Sequence, residues 1–165
     1  MEGDAHTNRD GRIPPQDLEA EKSLLGALLL SDQVFPNILE IVKAEDFYDP
    51  RHVSIFQGMT NLYAHHRPID LMTLTSELKS AKTLKSVGGS PYLTELTNFV
   101  PTASHADAYA DLVAQAALRR RLIQAGTDIA SAAYDGNTKI EELVGKAEQD
   151  LFAVSDKTVK SDYTA

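Results

Sequence analysis

The glycine pair in Val87-Gly88-Gly89-Ser90 is the first place to look for chemistry, because glycine-rich loops offer main-chain N–H groups to phosphates. The run is too short for that work and carries no P-loop lysine, so it reads as a turn entering a helix. The five histidines do not form a metal set, and His65-His66 at a helix end read as a solvated pair that offsets the helix dipole. No Ser/His/Asp arrangement can be argued from spacing in a chain whose periodicity is helical. Acidic pairs such as Glu19/Glu21 and Glu141/Glu142 are read as helix N-terminal charges. The chain has no cysteine, which excludes disulfides, thiolate nucleophiles and cysteine-bound metals and fits a reducing cytoplasm. No catalytic, cofactor-binding or metal-binding residue is expected in these 165 residues.

Two features point instead to contact with other macromolecules. Arg119-Arg120-Arg121 is the one basic run. It is either a solvated helix face paired with nearby acids or an electrostatic contact with a partner or DNA. Three consecutive residues fan around a helix, so all three cannot face one target, and at least one should pack its stem near a helix seam. Tyr92 is either core or a partner anchor, since tyrosine joins apolar area to a polar tip. The net charge of −8, from 16 basic and 24 acidic residues, weighs against strong DNA binding by this chain alone.

The elements that would position these groups are nearly all helices. Pro14-Pro15 mark a helix start, followed by Asp17, Glu19 and Glu21 in the first turns and Leu18, Leu25, Leu28 and Leu29 as the apolar face. A second helix is predicted over 32–42, capped by Asp32. Asp49-Pro50 open a third, with His52, Ile55, Phe56, Met59, Leu62 and Tyr63 on its stripe. Asp70 starts a short one with Leu71, Leu74 and Leu78 inward, and Ser90-Pro91 another with Leu93, Leu96 and Val100 inward. Ser104 with Asp107 resembles a capping box opening an alanine-rich helix that runs to about Tyr134. After the turn at Asp135-Gly136-Asn137, Thr138 and Glu141 form a second such box, and Ile140, Leu143, Val144, Ala147, Leu151 and Val154 line one face to about Ser155.

The expected fold class is therefore all-α, a compact head of about five helices followed by a long antiparallel helical hairpin. The expected boundaries are a disordered lead-in at 1–12, the head at 13–102, the hairpin at 103–155 and the start of a linker at 156–165. The long helix carries two stripes, Tyr109, Leu112, Ala116, Ile123 and Ala130 on one and Leu118, Leu122, Ala125 and Ile129 on the other. A helix with two apolar stripes has two neighbours, so one stripe is expected to meet another subunit or a partner. No apolar run approaches the roughly 20 residues of a membrane span, and Met1 to Gly11 lacks a signal-peptide core.

The run from Arg12 to Gly26 resembles the opening of the N-terminal domain of the bacterial replicative DNA helicase, the DnaB family. Glu45-Asp46-Phe47-Tyr48, Arg67-Pro68-Ile69-Asp70-Leu71-Met72-Thr73-Leu74, Val87-Gly88-Gly89-Ser90-Pro91-Tyr92-Leu93, Val100-Pro101-Thr102-Ala103 and Leu118-Arg119-Arg120-Arg121-Leu122-Ile123 extend the likeness, in order, from about Arg12 to Ser155. The resemblance implies the collar domain of a cytoplasmic, hexameric, ATP-driven 5′→3′ helicase, assembled as a trimer of dimers through the hairpins. It places ATP and Mg in a RecA-like domain beyond the linker, and DNA contact mainly there. It implies docking of the primase C-terminal helicase-binding domain on Tyr92, Ile123 and Ile129 with Glu19 at the rim, and leaves room for a helicase loader. Tyr109, Leu112, Ala116, Leu118, Leu122, Leu143, Ala147 and Leu151 are then the expected subunit interface. Lys22, where the family often has glutamine, and Ala114-Gln115-Ala116-Ala117, in place of a more charged stretch, are departures that bear on the strength of subunit pairing.

Two other readings follow from the same residues. A stand-alone helical adaptor could copy the collar to capture primase or compete with a host helicase, and a P-loop further along the reading frame would separate the two. A helical DNA-binding module would bind DNA in a salt-sensitive way, against the acidic balance.

Overall fold

The structure is a computed structural model that describes residues 11–162, with side chains described through residue 156. The expected lead-in at 1–12 and the last three linker residues thus lie almost wholly outside the described residues. Every regular element among the described residues is helical. The chain divides into two compact units, one spanning residues 16–115 and the other residues 116 onward together with the segment before Gln16.

In the first unit, α1 (Leu18–Leu30) starts where Asp17 accepts a hydrogen bond from the Ala20 amide at 2.9 Å. Leu24, Leu25, Ala27 and Leu28 are fully buried, whereas Leu18, expected inward, is exposed. Gly26 lets α1 press against α5 (Gly89–Thr97), since a Cβ there would fall inside the contact radius of the Leu96 carbonyl oxygen. The single helix expected over 32–42 is instead a 3-10 turn, Asp32–Val34, leading into α2 (Phe35–Ile41). Asp32 does not cap it. Its carboxylate accepts from the Ile69 amide at 3.0 Å and ties down the chain just before Asp70.

Helix α3 (Pro50–Ala64) keeps its predicted cap, Asp49, and buries Ile55, Phe56, Met59 and Leu62. The Phe56 ring lies tilted against Phe47 and Phe35, with centroids 5.0 and 5.5 Å apart, at the aromatic centre of the core. Helix α4 (Leu71–Ser80) has a reciprocal box between Asp70 and Thr73. Helix α5 begins at Gly89, one residue before the expected serine, because Gly88 takes φ +105°, a turn few other residues adopt.

The first turns of α6 (Ala106–Tyr134) belong to this unit: Ala106, Ala110 and Val113 are buried in its core and Tyr109 packs against it. The boundary expected after residue 102 therefore lies near 115. Ser104 turns its amide and hydroxyl to Thr102, at 3.2 and 2.8 Å, and α6 starts two residues later.

The second unit is a hairpin of the rest of α6 and α7 (Ile140–Asp162), which continues past the expected end at Ser155. An Asx turn between them has the Asn137 amide donating to Asp135 at 3.1 Å. Ala125 and Val154 are buried, Leu118, Ile129, Leu143 and Ala147 are half-buried, and Leu122, Ile123, Ile140, Val144, Leu151 and Phe152 are exposed. No single helix among the described residues is long and apolar enough to cross a membrane.

Candidate protein-docking surface

The chemistry-bearing residues that the fold gathers lie where α1, α3 and α5 meet, and they form one chain of hydrogen bonds. Helix α1 places Glu19 outward and Glu21 inward, since positions two apart sit on opposite sides of a helix. Glu21 is 1% exposed, so it is not the simple helix-end charge expected of it. Its carboxylate accepts from the amides of Tyr48 at 2.8 Å and Asp49 at 3.2 Å, fixing the loop that starts α3. It also lies 2.8 Å from His52 Nδ1. A carboxylate only accepts, so Nδ1 donates, and Nε2 pairs with the Tyr92 hydroxyl at 2.6 Å. His52 is fully buried. A lone charge there would be expensive, and the paired, fully bonded chain removes that penalty.

Tyr92 is thus mostly buried, at 8% exposure, with its hydroxyl committed to His52. Its remaining ring face is covered by the Arg51 guanidinium, 4.4 Å from the ring centroid. Arg51 in turn grips Asp49 through Nε and Nη2, the latter at 2.7 Å. Burial opposes ionisation of Asp49, but the Arg51 side chain and amide, with His52 nearby, outweigh it and hold the carboxyl below its usual value. The same Asp49 bond leads the causes that raise Arg51 above its ordinary range. Burial raises the Tyr92 phenol.

Of the four residues expected to face primase, Tyr92 and Glu19 lie on the first unit and Ile123 and Ile129 on the hairpin. Glu19 and Ile123 are exposed, Ile129 is half-buried and Tyr92 is buried. Among the residues expected at the subunit interface, Leu112, Leu122 and Leu151 are exposed, while Tyr109, Ala116, Leu118, Leu143 and Ala147 are half-buried. Sequence reasoning missed the Glu21–His52–Tyr92 chain and Arg51. The only trace was His52 sitting on the apolar stripe of α3.

The basic run does not act as one face. Arg119 is exposed, Arg120 donates to the Pro15 carbonyl oxygen at 2.8 Å, and Arg121 is half-buried.

A family model described as the DnaB-like helicase N terminal domain matches residues 13–115. The chain belongs to this family. The replicative DNA helicase DnaB of Leifsonia xyli subsp. xyli is 40% identical over 152 residues, which is 92% of this chain and 33% of that relative. The DnaB-like chain spans between 15% and 33% of the length of the curated relatives it matches. The crystal structure of the N-terminal domain of DnaB helicase from Mycobacterium tuberculosis superposes with a TM-score of 0.81 at 39% identity, covering 85% of this chain and 99% of that one. A second structure, of a DnaB-like replicative helicase and its interactions with primase, reaches a TM-score of 0.71 at 21% identity over 84% of this chain and 31% of that one, which speaks for the fold alone.

Proposed function

We propose that this DnaB-like domain is the amino-terminal collar of a hexameric replicative DNA helicase, pairing with further copies through its hairpin as a trimer of dimers and docking primase. The observation that carries this reading is the set of large apolar side chains left exposed on both hairpin helices: Leu122 and Ile123 on α6, and Ile140, Val144, Leu151 and Phe152 on α7. Two helices that bury only Ala117, Ala125 and Val154 among their described apolar residues from Ala116 on have a second apolar face to cover, and a monomer rarely leaves such a face to water.

On this reading Leu112, Leu122 and Leu151 supply the core of the subunit contact, with Tyr109, Ala116, Leu118, Leu143 and Ala147 around them. Primase contacts fall on Ile123 and Ile129 of the hairpin and on Glu19 and Tyr92 of the head. Unwinding, ATP and Mg belong to a RecA-like domain elsewhere in the full helicase, which also makes most of the DNA contact. The cytoplasm is the compartment this work requires.

Calorimetric titration of the chain with the C-terminal domain of its cognate primase, after its mass in solution is fixed, tests the proposal. Saturable binding near one partner per two chains supports both halves. Ile129→Asp should leave the head folded and abolish binding, and unchanged affinity in that variant would discard Ile129 as a docking residue. A chain that stays monomeric at high concentration fails the pairing half.

A further inference from the structure

Tyr92 invites the role of anchor, but the structure gives it another. Its hydroxyl is held by His52 and its ring is covered by Arg51, so a protein approaching this face meets the guanidinium and not the phenol. Arg51 has a side chain 42% exposed, stacked on the ring and gripped from one side by Asp49. Asp49 occupies the Nε–Nη2 edge of the fork. Among the described residues nothing bonds Nη1, so the Nη1–Nη2 edge is available in a fixed orientation. A guanidinium that has already lost its rotamer freedom to a ring and a carboxylate gives up little more on binding.

The charge around it says what kind of group fits. Asp49 lies against Arg51, and Glu95 acts on it through space, so one positive charge already faces two negative ones. A further carboxylate would enter a net negative surrounding. A main-chain carbonyl oxygen accepts a hydrogen bond without adding a formal charge. We propose that Arg51 is the partner-facing donor of this surface, that it takes main-chain carbonyl oxygens of primase, and that Tyr92, fixed by Glu21 and His52, is its platform. The inference rests on the primase-docking reading.

The test is calorimetric titration of the chain with its cognate primase, comparing the unaltered protein with Arg51→Ala, Arg51→Lys and Tyr92→Phe, each checked by thermal melting. Hydrogen bonds from a charged donor set the scale, so Arg51→Ala should weaken binding about tenfold or more, and Arg51→Lys nearly as much, because an ammonium keeps the charge but not the planar fork. Tyr92→Phe keeps the platform and should bind within about threefold of the unaltered chain while melting at a lower temperature. The Arg51→Ala loss should persist at high salt, since its acceptor is uncharged. Wild-type affinity in Arg51→Ala overturns the inference while leaving docking intact. A loss that vanishes with salt overturns the carbonyl acceptor in favour of a carboxylate. Failure of the unaltered chain to bind primase overturns the docking reading and this inference with it.

Discussion

Replacing Glu21 tests the buried polar chain directly. In Glu21→Ala three donors lose their acceptor together: the Tyr48 amide, the Asp49 amide and His52 Nδ1. A buried donor left unsatisfied costs about 1–3 kcal/mol, and the two amides are only partly buried, so a total of about 3–6 kcal/mol is expected. Against the roughly 5–15 kcal/mol that hold a domain of this kind together, that is enough to bring it near unfolding. Glu21→Gln keeps the volume and one acceptor oxygen but turns an NH2 group toward a donor, so it should cost less, about 1–2 kcal/mol. Urea unfolding followed by circular dichroism gives both values. His52→Ala in the Glu21→Ala background should cost far less than alone, because its Glu21 bond is already gone, with a coupling of about 1–3 kcal/mol. A Glu21→Ala variant within about 0.5 kcal/mol of wild type, or strict additivity with His52→Ala, would refute the chain as a stabilising unit.

Two further perturbations follow from the same unit. Gly26→Ala must push α1 away from the Leu96 carbonyl and should destabilise the head by about 1–3 kcal/mol or more, read from the same urea curves. Asp49 has a folded-state value below its ordinary 3.8, so it contributes stability above about pH 4 that is lost as pH falls through the lower folded value. Asp49→Asn should therefore be less stable than wild type near neutral pH, and the gap should close in acid. A constant gap from neutral pH to pH below about 3 would contradict the ion-paired geometry.

The sequence shows its helices because proline, aspartate and glycine mark their ends with local hydrogen bonds and dihedral limits, as at Asp17, Asp49 and Asp70. What it hides is side-chain traffic between elements. Asp32 looks like a cap and serves Ile69; Glu21 looks like a helix-end charge and serves Tyr48, Asp49 and His52. Each partner lies more than twenty-five positions away, beyond any local rule. Alanine hides the other half. Ala106 and Ala110 pack α6 into the head, but alanine carries too little apolar signal to outrank the neighbouring Tyr109 and Leu112, so the stripe reads one position out and the boundary falls too early. Family membership then supplies what no spacing here could, a helicase context for a chain without a motor motif.

The basic run at 119–121 sets a last quantitative expectation. Proteins that hold nucleic acid through its phosphates release counterions, and the slope of log K against log salt counts the contacts, about −0.7 for each on a single strand. Helix geometry sends these arginines to different tasks: Arg120 to the Pro15 carbonyl, Arg121 into a half-buried setting, and Arg119 to solvent. With one exposed arginine of the run available and a net charge of −8 on the chain, single-stranded DNA should bind weakly, with a slope no steeper than about −1. Fluorescence anisotropy of a labelled oligonucleotide across a salt series measures it. A slope several times steeper, reduced by about 0.7 in each of Arg119→Ala, Arg120→Ala and Arg121→Ala, would mean that the run gathers phosphates after all and that the acidic balance of the chain is not what decides its partners.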